Sequence, residues 1–274
     1  MQTTEFDKDN SSTNKGLLFL IGGAEDKKNE QIVLRKILQL SKAKNIVLIT
    51  SASLYPNEVF TNYAEAFQKI GVENVHNFDI RYPHLADDNK YFDILKTTDL
   101  IYFSGGDQVK LVKALKGSQL LEMIKNKHFT ENLHIAASSG GASAASNPMI
   151  YDGDYEGFNK DSVNFSAGFG FINNLTIDTH FFTRGRLPRI VQFLMTGRSF
   201  RGLGLDEDTA VVISPDNNIE VFGNGMVTMI STNENIFTNY ENVESGNFFS
   251  AENIQLAFLA PNTKFSLNNW KIIV

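Results

Sequence analysis

Short, fully apolar runs alternate with amphipathic stretches through the first half of this chain. Leu17 to Ile21 is apolar and ends in Gly22-Gly23, which reads as a buried strand followed by a turn. Residues 27–42 then carry Ile32, Leu34, Ile37, Leu38 and Leu40 at helical spacing. Asn45 to Thr50 predicts a second strand, and Val75 to Ile80 a third. Between them, residues 57–70 form an amphipathic helix with Val59, Phe60, Tyr63, Phe67 and Ile70. A short helix over 90–97, a strand over Leu100 to Ser104, helices over 108–115 and 118–127, and a small-residue strand from His134 complete the pattern. Apolar strands separated by helices argue for an α/β fold, a mainly parallel central sheet with helices on both faces. Right-handed crossovers bring the carboxyl ends of such strands to one edge, where open sheets hold their ligands. Three glycine-rich turns, at 22–26, 104–108 and 138–141, fall on that edge.

The second half reads differently. β segments are predicted over Phe169–Ile177, Ala210–Ser214, Ile219–Phe222 and Met226–Ile230, with Pro215-Asp216-Asn217-Asn218 as a hairpin turn. A helix over 186–196 lies among them, and a β pair near 254–259 and 269–273 closes the chain. No linker or repeat interrupts residues 16–274, so one α/β domain is expected behind a polar tail, 1–15, expected to be disordered.

Composition bears on function more than on fold. The 274 residues carry a net charge of −6 and no run of lysine or arginine, which argues against nucleic-acid and anionic-membrane partners. Cysteine is absent, and with it disulfides, thiolate metal sites and a cysteine nucleophile. The amino terminus lacks the apolar core of a signal peptide, and no apolar run reaches the roughly 20 residues of a membrane span. The cytoplasm is the expected compartment.

The richest chemistry lies in His134–Met149, HIAASSGGASAASNPM. A small-residue strand runs through Ser138-Ser139-Gly140-Gly141 into an alanine-rich helix that ends before Asn147-Pro148. Strand, tight turn and helix around a serine is the context of a nucleophile elbow, with Ala137 where the usual Gly-x-Ser-x-Gly has its first glycine. The same residues also fit a plain turn that lets a helix pack on a sheet. A serine nucleophile needs a base held by a third group. Among five histidines, His180 stands apart, just beyond the strand that ends near Ile177. Gly202-Leu203-Gly204-Leu205 leads into three consecutive acids, Asp206, Glu207 and Asp208, either a partner for the base or a solvated turn. The amide of Gly140 and the Gly105-Gly106 turn are candidate oxyanion donors. Arg186 and Arg189, three apart on a helix start, share a face suited to a carboxylate.

Taken together, AASSGGASAASNPMI, SGGDQ, IDTHFFTRGRLPR and GLGLDEDTA, with LLFLIGGAED and DIRYP, occur in the order found in cyanophycinases. The resemblance spans roughly residues 16–230. It implies a fold similar to class I glutamine amidotransferases, and a serine exopeptidase related to aspartyl dipeptidases. The implied substrate is cyanophycin, a polyaspartate carrying arginine on each β-carboxylate, cleaved to β-Asp-Arg dipeptides. It further implies Ser139 as nucleophile rather than Ser138, His180 as base and Glu207 as orienting acid. Gln108, Arg186 and Arg189 become the substrate pocket, beside the expected oxyanion hole of Gly106 and Gly140. No cofactor or metal is implied, and a homodimer is. The elbow reads Ala-Ser-Ser-Gly-Gly where the family usually has Gly-Thr-Ser-Ala-Gly. An aspartyl or isoaspartyl dipeptidase with the same triad and a non-catalytic peptide-binding homologue are the alternatives.

Overall fold

A computed structural model describes residues 14–153, 158–232 and 235–274. Most of the expected tail, residues 1–13, lies outside the described residues. Five short strands, β1 (Leu18–Ile21), β2 (Asn45–Ile49), β3 (Asn74–Phe78), β4 (Leu100–Phe103) and β5 (His134–Ser138), form the parallel part of a nine-stranded sheet in the order β3-β2-β4-β5-β1. The sheet continues antiparallel from β1 through Thr209–Ile213, Asn218–Gly223, Lys264–Ser266 and Lys271–Ile273. Each antiparallel step reverses direction, so only Thr209–Ile213 and Lys264–Ser266 oppose β1, and the sheet is mostly parallel, as the sequence pattern predicts.

Both faces of the four inner strands β2, β4, β5 and β1 are covered, which is why these are mostly apolar, whereas the edge strand β3 carries Asn74, His76 and Asn77 and buries only Phe78. Leu18, Leu20, Val47, Ile49, Ile101, Phe103, Ile135 and Ala137 point into one core cluster, and Phe19, Ile21, Ile46, Leu48, Leu100, Tyr102 and Ala136 into the other. The second cluster is closed by α1 (Ile32–Ser41), through Val33, Leu34 and Ile37, and by α2 (Pro56–Lys69), through Tyr63, Ala66 and Phe67. The first is closed by helices that follow in the chain: α3 (Pro83–Ala86), α4 (Asn89–Leu95), α5 (Gln108–Leu115), α6 (Gln119–Thr130) and α7 (Gly140–Ala145). Asp107 caps α5 by accepting from the amides of Val109 and Lys110, and Ser118 caps α6 by accepting from Leu121.

Local chemistry moves several boundaries. Helix α1 starts at Ile32 rather than near residue 27, because the Asp26 carboxylate collects the amides of Lys28, Asn29 and Gln31 into a turn. The single strand expected over Phe169–Ile177 is two, Ile172–Asn173 and Thr176–Thr179, broken where Asn174 takes a φ of 57°. Thr176–Thr179 belongs to a second, four-stranded sheet with Arg201–Leu205, Val227–Ser231 and Gln255–Leu259. The predicted closing pair is therefore not a pair. Gln255–Leu259 joins the second sheet, and Lys271–Ile273 joins the first. Helix α8 (Leu187–Met195) lies near its expected span. No helix among the described residues is long and apolar enough to cross a membrane.

Candidate active site

Strand β5 delivers Ser139 to the carboxyl edge of the sheet in a strained conformation, φ 52° and ψ −120°, outside the regions that residues with a Cβ normally occupy. Its amide donates to the Ile21 carbonyl of β1, at 2.9 Å. The glycines that follow are needed for close approach. A Cβ on Gly140 would lie 2.2 Å from the Gly106 carbonyl oxygen, and one on Gly141 2.6 Å from that of Phe103. Ala137, by contrast, is fully buried in ladder register between Leu20 and Phe103, and its methyl belongs to the first core cluster.

His180 leaves the end of Thr176–Thr179 with a positive φ of 50°, its amide bonded to the Gly22 carbonyl at 2.9 Å. Its Nε2 lies 2.9 Å from Ser139 Oγ, and its Nδ1 lies 2.6 Å from Glu207 Oε1. With a carboxylate against Nδ1, the ring proton belongs there, which leaves the Nε2 lone pair facing the serine hydroxyl. The three consecutive acids have separate partners. Asp206 accepts from the amide and hydroxyl of Thr183, Glu207 holds His180, and Asp208 accepts from the Asp26 amide and the Asn224 side chain. Gly23 backs the ring. With φ 98°, it has no room for a Cβ, which would lie 2.5 Å from His180 Cε1 and Nε2 and 3.1 Å from Ser139 Cβ.

The Gly105-Gly106 turn lies over the elbow, a Cβ on Gly105 falling 3.6 Å from Ser139 Oγ, and Gly106 is exposed with φ 136°. Gln108 packs its amide beside Gly140 and donates to the carbonyls of Ile150 and Tyr151. Arg186 and Arg189 have a partner that the sequence reading did not single out. Asp178, fully buried, accepts from Arg186 Nη1 at 3.1 Å and from Arg189 Nε and Nη2 at 2.8 and 2.5 Å. Both arginines are buried, so their guanidinium groups meet the protein's own carboxylate rather than an open pocket. Arg184 of the same segment is exposed, with its amide on the His180 carbonyl. The available signal for Asp178 was a lone acid in the short strand segment Thr176–Thr179, eight and eleven residues before two arginines.

Ser138 is turned away from this constellation. Its hydroxyl donates to Glu25 Oε2 at 2.8 Å, and Glu25 also accepts from the hydroxyls of Tyr63 and Tyr102. Burial opposes ionisation of Glu25, but the charge of Lys27 and the two tyrosine hydroxyls outweigh it and leave the carboxyl below its usual range. Both tyrosines are pushed well above theirs by burial and by the Glu25 charge.

The comparisons with known proteins agree with one another. The family described as "Peptidase family S51" matches residues 18–221. The chain is 28% identical to the cyanophycinase of Nostoc sp. (strain PCC 7120) over 270 residues, 97% of this chain and 91% of that protein. It is 29% identical to the cyanophycinase of Thermosynechococcus vestitus over 264 residues, 95% and 82% of the two chains. Among solved structures, a peptidase from an acI-B1 Actinobacterium superposes with a TM-score of 0.64 at 22% identity, over 78% of this chain and 90% of that one, a likeness of fold.

Proposed function

The chain belongs to peptidase family S51 and is a serine peptidase, and on that premise we propose that it is an exopeptidase of the cyanophycinase type, working through Ser139, His180 and Glu207. One observation carries the reading. A serine held at a strained strand-to-helix turn lies 2.9 Å from a histidine whose other nitrogen lies 2.6 Å from a carboxylate. In the reaction, Ser139 Oγ attacks the scissile carbonyl while its proton passes to His180 Nε2. Glu207 stabilises the imidazolium through Nδ1–H. The oxyanion is met by the amides of Gly140 and Gly106. His180 then gives the proton to the leaving nitrogen, and water, deprotonated by the same ring, releases the acyl group.

The substrate proposal rests on the names of the relatives and on the cations after His180. Cyanophycin presents free carboxylates and guanidinium side chains, and hydrolysis yields β-Asp-Arg dipeptides. Arg184 is the exposed cation available to a backbone carboxylate, while Arg186 and Arg189 contribute by shaping the wall around Asp178. Gln108 contributes in the same way, from the elbow side. The test is incubation of the protein with purified cyanophycin and, separately, with a panel of β-aspartyl and α-aspartyl dipeptides, with mass spectrometry of the products. Release of β-Asp-Arg by wild type and not by Ser139→Ala supports the proposal. Cleavage confined to the dipeptides reassigns the substrate to the aspartyl dipeptidase class, and no cleavage of either overturns it.

A further inference from the structure

Glu25 takes no part in the chemistry proposed above, yet it is 3% exposed, at the end of the turn that follows β1. Its carboxylate meets three hydroxyls from three elements: Tyr63 on α2, Tyr102 on β4 and Ser138 on β5. Lys27 Nζ lies 3.8 Å from Oε1, the oxygen that also accepts from the two tyrosines. Such a cluster adds little to stability over apolar side chains of the same volume, because desolvating the charge offsets most of what its partners return. What a carboxylate with three hydroxyl donors supplies is fixed position.

The groups it fixes are those next to the reacting atoms. Ser138 is the residue immediately before the strained Ser139. The Gly22–Ala24 segment immediately before Glu25 receives the His180 amide on the Gly22 carbonyl, the Asp208 amide on the Gly23 carbonyl, and the His180 ring against Gly23. Ala24 has a positive φ of 52°, so the segment is held away from relaxed backbone geometry at a residue with a Cβ.

We infer that Glu25 is a positioning residue for the Ser139–His180 pair, pinning the elbow through Ser138 and the wall behind the His180 ring through Gly22–Ala24. The inference rests on the assignment of Ser139 and His180 as nucleophile and base. Glu25 touches neither side chain and acts through the backbone it immobilises.

A fluorophosphonate reports on this without knowledge of the substrate. Its saturation kinetics with the full-length protein separate binding, KI, from the covalent step, kinact, and its end-point counts competent sites. Wild type, Glu25→Gln, Ser138→Ala and the double variant are compared. A glutamine at 25 keeps the shape but loses the charge. With its carbonyl kept for the two tyrosines, an NH2 replaces Oε2, the acceptor Ser138 uses, so the charge-assisted Ser138 link is lost. Ser138→Ala removes that link alone and leaves Glu25 with both tyrosines, so it carries the test should Glu25→Gln not fold. The expected result is a fall in kinact of about tenfold or more in each single variant. KI is expected within twofold of wild type, the labelled fraction near one, and the double variant no slower than the slower single, because one link is cut twice. A purely structural role lowers the labelled fraction and the unfolding midpoint but leaves kinact of the folded molecules unchanged. That result, or wild-type kinact in Ser138→Ala, overturns the inference. Wild type that fails to label at Ser139 overturns the triad assignment, and this inference with it.

Discussion

Gly23→Ala isolates the contact that aligns the base. The added methyl would start 2.5 Å from two ring atoms of His180, whereas a relaxed carbon contact is about 3.5 Å, so ring or backbone must yield by about 1 Å. The backbone has little freedom to yield. Gly22 accepts from the His180 amide, Gly23 accepts from the Asp208 amide, and a Cβ on Gly22 would meet the Asp206 carbonyl oxygen at 1.9 Å. Moving the ring breaks one of two short contacts, the 2.9 Å approach to Ser139 Oγ or the 2.6 Å approach to Glu207. Losing a positioned general base costs about 10²–10⁴ in rate. The methyl also sits at φ 98°, where a residue with a Cβ costs roughly 1–2 kcal/mol. For a chain of this size that corresponds to roughly 2–8 °C in unfolding midpoint. Thermal unfolding and the rate of fluorophosphonate labelling, run on the same preparation, measure both. The expected result is a small loss of stability with at least a 100-fold loss of labelling rate. Labelling within about threefold of wild type refutes the claim that Gly23 sets the position of the His180 ring.

Glu207→Gln keeps the contact to His180 Nδ1 but removes the charge and permits the wrong tautomer, so kcat should fall at least about 100-fold, measured by peptide hydrolysis, with little change in KM. Asp206→Asn, whose carboxylate holds only Thr183 among the contacts described, should stay within about fivefold of wild type in the same assay. Arg189→Lys loses the two-pronged grip on buried Asp178, and urea unfolding should register roughly 2 kcal/mol of destabilisation. Unchanged stability would mean that the fork does not hold Asp178. His128 is buried, with Nδ1 against the Leu133 carbonyl, and burial lowers its pKa from 6.5 to about 4. The folded state therefore binds this proton less readily than the unfolded chain. The stability this contributes is complete above about pH 6.5 and is lost as pH falls from there toward 4. Between pH 7.5 and pH 5 the loss from this group is about 2 kcal/mol. Urea unfolding of His128→Gln should show a pH dependence shallower by that amount, and an unchanged slope would exclude His128 as its source.

The first half of the fold is legible because four of the five strands of the parallel part are buried on both faces, the edge strand β3 excepted, and each intervening helix keeps one apolar stripe. What periodicity does not encode is pairing between distant segments. Gln255–Leu259 and Lys271–Ile273 are recognisable as strands, but their partners, Val227–Ser231 and Lys264–Ser266, lie in different sheets. Turn chemistry hides the rest. Asp26 and Asn174 are ordinary polar residues in sequence, and only their hydrogen bonds and dihedrals decide that one delays a helix and the other splits a strand. At the candidate site, residue type and order singled out the serine turn, His180 and the run of three acids, and the resemblance chose Ser139 and Glu207 among them; these two and His180 lie in hydrogen-bond contact. Arg186 and Arg189 do share a face, but helical spacing says nothing about what that face meets. Asp178, on a neighbouring strand, occupies the place where an external carboxylate was expected.

The two adjacent serines are separated by an elementary rule, that successive side chains of a strand point to opposite faces. Along β5, Ile135 and Ala137 enter the core closed by α3 to α7, and Ala136 enters the one closed by α1 and α2. Ser138 continues the alternation on the side of Ala136, among Tyr63 and Tyr102, where its hydroxyl finds Glu25. To point at the sheet edge instead, it would have to leave the ladder, in which β1 pairs with it at Ile21. Ser139 is the first residue free of that alternation, and its positive φ turns the side chain out between β1 and β4, against Gly23 and Gly105. The elbow therefore assigns one serine to the core and the other to the edge. The same geometry explains how Ala137 is accommodated. It is an inward position of a parallel strand, where a methyl fills space that a glycine would leave empty. Ala137→Gly should accordingly lower stability by roughly 1 kcal/mol through lost packing and added chain entropy, with kcat within about threefold of wild type. A large gain in kcat in that variant would show that the methyl strains the elbow, and would refute this account of its register.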